Sequence, residues 1–184
     1  TILTAAIKNL FGLVSGTYKT ELHKKYSAPE DFANILVDIY EEARPALNII
    51  DGIVAMEGDG PATGGRLRNT GLLLAGSDAV AIDSILALIM GSRPSDILST
   101  KFAAERGLGT LDINAIQVLG EQLEDVIEEP FKLPATSLAR KLPRPIIELA
   151  RKLIHFYPKV DYKNCILCEA CVKACPVQVI SVKS

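Results

Sequence analysis

Apolar residues recur at helical spacing from Phe32 through Ile35, Leu36 and Ile39 to Ala43, which predicts a helix with one apolar stripe. Ser27 and Glu30 stand ahead of it at capping-box spacing, and Pro45 closes it. Before it, Ala5 to Val14 predicts a short helix leading into a Gly/Ser/Thr loop. Leu47 to Met56 reads differently. Its run LNIIDGIVAM is mostly apolar without a helical period, the pattern of a strand buried on both faces of a parallel sheet. A Gly/Pro-rich loop, Glu57 to Arg68, separates it from a second apolar strand, Gly71 to Ala75. Ser77-Asp78 then gives a helix N-cap signal for a helix carrying Ile82, Ile85, Leu86 and Ile89 and ending near Gly91. Pro94 opens a further helix that Gly107 ends, and Ala115 to Leu119 predicts a third strand. Helices and strands alternating in this way favour an α/β domain with a largely parallel sheet flanked by helices.

The pattern changes after Gly120. An acidic stretch from Glu121 to Glu129 gives way to a Pro-punctuated basic one, and Ile146, Ile147, Leu149, Ala150, Leu153 and Ile154 form a helical stripe. Residues 1–120 are therefore expected to form the α/β domain, 121–157 a linker with an amphipathic helix, and 158–184 a small, partial α+β segment of ferredoxin type. The bland reading of the late helix is a solvated connector. The sharper one is a surface for a membrane or redox partner.

Composition adds mainly exclusions. Hydrophobic residues make 48% and charged residues 23% of the 184 positions, an ordinary globular mixture. A net charge of -2 gives no drive toward nucleic acid. The most apolar window, Leu72 to Met90, is interrupted by Asp78 and Asp83, which argues against a membrane span. The start, Thr1-Ile2-Leu3, has neither a basic leader nor a long apolar run, so no signal peptide is expected.

Cysteine usage carries the chemistry. All four cysteines lie in one run, Cys165-Ile-Leu-Cys168-Glu-Ala-Cys171-Val-Lys-Ala-Cys175-Pro176. The run matches C-x2-C-x2-C-x3-C-P at every position, the spacing of bacterial [4Fe–4S] ferredoxins. The short spacings let a tight loop wrap thiolates around an iron–sulfur cube, and the small or apolar residues between them suit a shielded cluster. Pro176 turns the chain away, and Val177 to Val182 is expected as a strand over the cluster. Zinc is the competing metal, although its sites usually take two separated C-x2-C pairs. Clustered thiols of this kind belong to a reducing compartment, so the protein is expected in a prokaryotic cytoplasm. In the two-cluster arrangement the first three cysteines hold one cluster and the fourth ligates the other. With Thr1 in place of an initiator methionine, this ligand count leads to the expectation that the 184 residues are a fragment. Such a fragment would hold a cluster poorly.

The second candidate is the acidic Gly-rich loop Glu57-Gly-Asp59-Gly60-Pro61-Ala-Thr63-Gly64-Gly65. In an open parallel sheet, ligands sit beyond the carboxyl ends of the strands. Asp51, Glu57, Asp59 and Asp78 would then converge on one edge, with Arg66 and Arg68 nearby. The loop lacks the Gly-Lys-Ser/Thr ending of a phosphate-binding loop, and its carboxylates suit a divalent cation or a hydroxyl-rich ligand better. The alternative is a glycine-rich turn with solvated acids. His23 lies in a basic patch with Lys19, Lys24 and Lys25, where an exposed histidine without special function is the commoner reading. His155 falls on the polar side of the late helix.

The run Asp51 to Pro61, then GLLLAGSDAVAID from Gly71 to Asp83, then Met90-Gly91, resembles the prokaryotic domain of unknown function 362. Relatives often carry a two-cluster ferredoxin segment at the C-terminus, as Cys165 to Pro176 would begin here. Lys19 to His23 also looks like the family's lysine/histidine stretch. The resemblance implies a part upstream of Thr1 and a second cysteine motif beyond Ser184, and it supplies no settled activity.

The leading expectation is a redox protein in which [4Fe–4S] clusters exchange electrons with a partner protein or small-molecule acceptor held at the acidic loop. One alternative is an oxidoreductase acting through Asp51, Glu57, Asp59 and Asp78, with His23 as a further candidate. Another is a non-catalytic binding or assembly module with a structural metal.

Overall fold

The computed structural model describes residues 2–60, 64–134, 160, 163–175 and 180–181, and contacts divide the chain into two units, Thr1–Lys141 and Leu142–Ser184. In the first unit, the N-terminal helix expected over Ala5 to Val14 is realised in two pieces, α1 (Ala6–Asn9) and a 3-10 turn over Leu10–Leu13. A helix follows where a loop was expected, α2 (Gly16–Lys25). Only Leu22 of α2 is buried, so the segment carries no apolar stripe from which a helix could be read.

The strongest periodic segment forms α3 (Pro29–Ala43), which buries Phe32, Ala33, Leu36, Val37 and Tyr40 on one face. Its start differs from the capping box expected at Ser27 and Glu30. Ala28 is the N-cap and Pro29 takes the first helical position, where its fixed φ suits the helix and its missing N–H costs nothing. Glu30 and Asp31 then fall in the first turn, favourably placed against the helix dipole. The helix ends at Arg44 in a left-handed conformation, φ 30°, because the residue before Pro45 is sterically barred from continuing it.

The sheet is where expectation and structure part. Strands β1 (Asn48–Gly58) and β2 (Gly65–Gly76) pair antiparallel, from Asn48 opposite Gly76 to Gly58 opposite Gly65. The largely parallel sheet is therefore not formed among the described residues, and β2 begins well before Gly71. Two physical causes act together. A parallel crossover needs roughly a dozen or more residues, more than lie between Gly58 and Gly65. Opposite charges at Glu57 and Arg66, directly paired across the strands, also favour extending the ladder into what reads as loop.

A bulge interrupts the register between Gly52 and Val54. The Ile53 N–H is taken by the Asp51 carboxylate at 3.0 Å, the Thr70 hydroxyl donates to the Gly52 carbonyl, and Gly71 supplies the positive φ of 65° on the facing strand. An extra residue reverses which side chains face inward. Ile50 and Gly52 are sheltered before the bulge, whereas Ala55 and Glu57 are sheltered after it. Glu57 faces inward for this reason.

Helix α4 (Ala79–Ile89) follows β2 as expected and is buried almost all round. After a 3-10 turn at Pro94–Asp96 comes α5 (Leu98–Glu105). Both helices close on the glycines expected to end them. At α4, Gly91 N–H donates to Leu88 and Ser92 N–H to Ala87; at α5, Gly107 N–H donates to Ala104 and Leu108 N–H to Ala103. Each is the paired bonding of a Schellman cap, with φ of 74° at Gly91 and 71° at Gly107.

The core forms where α1, α3, α4 and α5 meet, with Ile7, Leu36, Val37, Val80 and Ala103 at its centre. Among the described residues, no third strand forms at Ala115 to Leu119. A 3-10 turn, Ile113–Ala115, leads into chain without regular structure, and a short α6 (Leu123–Val126) follows. In the second unit the described helix is α7 (Ala170–Ala174). The helix expected from Ile146 to Ile154, His155, and residues 177–179 and 182 of the expected cluster-covering strand lie outside the described residues.

Candidate functional site

The four cysteines sit on a short loop and helix. Cys165 and Cys168 lie in the loop, Cys171 on α7 and Cys175 at its C-cap. Cys165, Cys168 and Cys171 are exposed and Cys175 is half-buried. Between them the backbone turns left-handed at Leu167, φ 54°, and Glu169, φ 57°. Non-glycine residues adopt this conformation at a cost of about 1–2 kcal/mol each, and here it folds the chain back so that α7 begins within five residues of Cys165. Among the described residues, no three Cys, His, Asp or Glu side chains are gathered as a group that could hold a metal ion, the four thiols included. Donor type, spacing and backbone turns all fit a [4Fe–4S] cluster, which would draw the thiolates together.

The acidic residues do not form a common edge. Antiparallel pairing places Glu57 and Asp59 at the tip of the hairpin and Asp78 just past its opposite end. Nine strand residues at ~3.3 Å each separate Glu57 from that end, roughly 30 Å. The expected convergence of Asp51, Glu57, Asp59 and Asp78 followed from the parallel sheet and falls with it.

Asp51, Glu57 and Asp78 each hold backbone N–H groups. Asp51 holds the bulge. Asp78 caps α4, accepting from Val80 N–H at 2.8 Å and Ala81 N–H at 3.0 Å, and its other oxygen accepts from Thr110 N–H at 3.0 Å. Glu57, 8% exposed, lies 3.6 Å from Arg68 and 3.9 Å from Arg66 and accepts from Lys132 N–H at 3.2 Å. The Lys132 N–H, helped by Arg66 and Arg68, holds the Glu57 carboxyl below its usual range.

Arg68 completes this knot. Its guanidinium donates to the Glu129 carbonyl at 2.6 Å and lies 4.3 Å from the Phe131 ring centre. Gly58 N–H donates to the Lys132 carbonyl at 2.7 Å, and Phe131 N–H to that of Met90 at 3.0 Å. Glu57 and Arg68 thus strap residues 128–132 across the hairpin. Arginines near the acidic loop were legible in the sequence, but the strap was not.

His23 is exposed on α2. Its ring stacks on Phe32 at 4.4 Å and meets Phe11 edge-on at 5.3 Å. It packs α2 against α3, and no acid or base partner accompanies it among the contacts described.

Sequence reading passed over Asp83. It is 2% exposed, in the middle of α4, and accepts from the Ala6 N–H at 2.8 Å and the Ile7 N–H at 3.3 Å. These are first-turn donors of α1, which a distant carboxylate satisfies in place of a local cap. Burial pushes its pKa up to about 7, against the lowering effect of the two N–H groups. The available signal was a carboxylate inside an apolar run.

Residues 1–87 match the domain of unknown function 362. Residues 158–181 match the 4Fe-4S binding domain, which covers all four cysteines and makes this an iron–sulfur segment. The domain of unknown function 362 match takes in α1 to α3, the hairpin and most of α4, so Glu57, Arg68, Asp78 and Asp83 all fall within it. A thylakoid-associated protein of Synechocystis is 34% identical over 157 residues, covering 84% of this chain and 48% of the relative. The chain therefore spans about half the length of that relative. No solved structure matches it. Among the described residues, no helix is long and apolar enough to cross a membrane.

Proposed function

We propose that the parent protein is an electron carrier whose iron–sulfur segment exchanges electrons with a partner protein or small-molecule acceptor. The observation that carries this reading is the complete C-x2-C-x2-C-x3-C-P run from Cys165 to Pro176 within a 4Fe-4S binding match. A [4Fe–4S] cluster, when bound, supplies one-electron oxidation and reduction. The chain supplies four soft thiolate donors, left-handed turns at Leu167 and Glu169 between them, and exposure of Cys165, Cys168 and Cys171 to a partner.

The two-cluster pattern assigns Cys165, Cys168 and Cys171 to one cluster and Cys175 to a second. The parent polypeptide then provides the remaining ligands. Cytoplasmic placement rests on the same cysteine spacing, since clustered metal-binding thiolates belong to a reducing compartment. The α/β expectation of a ligand edge at Asp51, Glu57, Asp59 and Asp78 takes no part in this proposal, since those residues do not converge.

Anaerobic reconstitution of the full-length polypeptide with iron and sulfide tests the proposal. The expected product has a broad visible absorption that bleaches on reduction, with a paramagnetic signal appearing in the reduced state. Cys168→Ser should lose most of that signal without altering the far-ultraviolet circular dichroism of the N-terminal unit. Full-length protein that binds zinc tightly and refuses iron would instead make the segment a structural metal module.

A further inference from the structure

The hairpin of β1 and β2 shelters one face and exposes the other. Ile50 packs into the helical core, and its cross-strand partner Leu74 is half-buried with it. Partners across an antiparallel ladder share a face. The pairs Ile49–Ala75, Asp51–Leu73, Val54–Asn69 and Met56–Leu67 stand on the side away from that core, and every residue in them is exposed. Large apolar side chains dominate this side. Ile49, Val54, Met56, Leu67 and Leu73, with Ile53 at the bulge, are 42–68% exposed. Asp51 is the single charge among the four pairs.

A sheet face open to water is normally polar, and a contiguous exposed apolar patch marks a contact surface. The composition of the patch selects the kind of contact. Transient interfaces are no more apolar than ordinary protein surface, whereas homodimer interfaces are about 65% apolar and poor in charge at their centre. Area argues the same way. A large aliphatic side chain offers roughly 100 Å² of apolar surface, so the six exposed here present about 350 Å² per copy. Two copies bring together about 700 Å², which at the apolar share of a homodimer means a total of about 1,100 Å². A specific interface needs about 1,000 Å². Two such faces suffice when most of each is used.

We propose that this face of the hairpin is the contact surface for a second copy of the chain. The two hairpins lie face to face about a two-fold axis, the self-complementary arrangement of a symmetric dimer. Their strands cross at the roughly 30° that sheet twist imposes. Asp51 sets where the axis falls, because two Asp51 carboxylates opposed across an apolar contact would repel. An axis near Val54 and Asn69, paired across the ladder, puts each Asp51 roughly 10 Å from the centre and the two about 20 Å apart. The same placement sets the Ile49–Leu73 end of one copy against the Met56–Leu67 end of the other. No cysteine takes part, so the proposal stands or falls independently of the iron–sulfur reading.

Sedimentation velocity of the full-length protein, kept reduced and free of oxygen, tests this. With so small an interface, the dimer should form by about 100 μM and dissociate toward about 1 μM. Val54→Glu sets two carboxylates beside the axis and Leu67→Glu charges the same face further out; each should weaken the dimer about tenfold or more. Leu13→Glu, at a 71% exposed position on another element, should leave it unchanged. Circular dichroism checks that each variant is folded. Wild-type protein that stays monomeric at about 100 μM overturns the proposal, as it would if another part of the polypeptide or a different partner covered the face. A dimer that survives both hairpin substitutions also overturns it. Amide exchange in β1 and β2 should slow as the wild-type dimer forms. Unchanged exchange there overturns the proposal even if neither hairpin variant folds.

Discussion

Replacing Asp83 by Asn should change how stability depends on pH, and the structure fixes the direction. The Asp83 carboxyl is 2% exposed and its pKa is pushed from 3.8 to about 7 by burial. The folded state therefore keeps a proton that the unfolded chain gives up. The contribution is fully present below pH 3.8 and is lost as pH rises through about 7. At 1.36 kcal/mol per pH unit, the raised value corresponds to about 4 kcal/mol of stability lost across that window. Carboxyls held low, such as those of Glu57 and Asp96, act oppositely. Their stabilisation is present above their unfolded values and is lost as pH falls through the acid range, so it does not mask the trend above pH 5.

Asn at position 83 cannot ionise. It keeps one oxygen to accept from Ala6 or Ile7 and presents an amide donor to the other, at a pH-independent cost of about 1–3 kcal/mol. Urea unfolding from pH 5 to 8 should show wild-type stability falling with pH while Asp83→Asn stays nearly level. The variant should be weaker at pH 5 and equal or stronger at pH 8. Parallel profiles, or a wild type flat over this range, would refute the assignment of a protonated carboxyl to the α1–α4 contact.

Three further outcomes follow from local geometry. Asp78→Ala should cost about 2–3 kcal/mol, because it removes the cap of α4 and the acceptor for Thr110 N–H, whereas Asp78→Asn should cost less than half of that; urea midpoints separate them. The Thr100 hydroxyl is fully buried without a hydrogen-bond partner among the described residues, so Thr100→Val should be neutral or stabilising by about 1 kcal/mol. A clear loss of thermal stability would count against that reading. Arg68→Met should free the strap, seen as faster amide exchange at Phe131 and Lys132 with little change in α3; unchanged exchange there would mean that Glu57 holds the strap alone.

Helices with an apolar stripe or a glycine stop were legible in the sequence. The stripe from Phe32 forms α3, and Gly91 and Gly107 end their helices by the caps their position suggests. Helix α2 was not legible, because a polar segment with only Leu22 buried shows no period. The direction of β2 was misjudged for another reason. Apolar strands read alike in parallel and antiparallel sheets, and the pairing here is decided by a short connection and by Glu57 meeting Arg66. Once the strands run opposite ways, Asp78 moves to the far end from Glu57 and the anticipated acidic site dissolves. Asp51, Glu57 and Asp78 turn out to satisfy N–H groups that no pattern of side chains announces. The cysteine motif escapes such errors because its ligands are local: Cys165 to Cys175 need no long-range contact to be recognised.

Metal analysis of full-length protein purified without exposure to oxygen tests the central claim most directly. Iron and acid-labile sulfide in equal amounts, both lost in Cys168→Ser, are the predicted result. Zinc in their place, or thiols that stay metal-free after reconstitution, would contradict it.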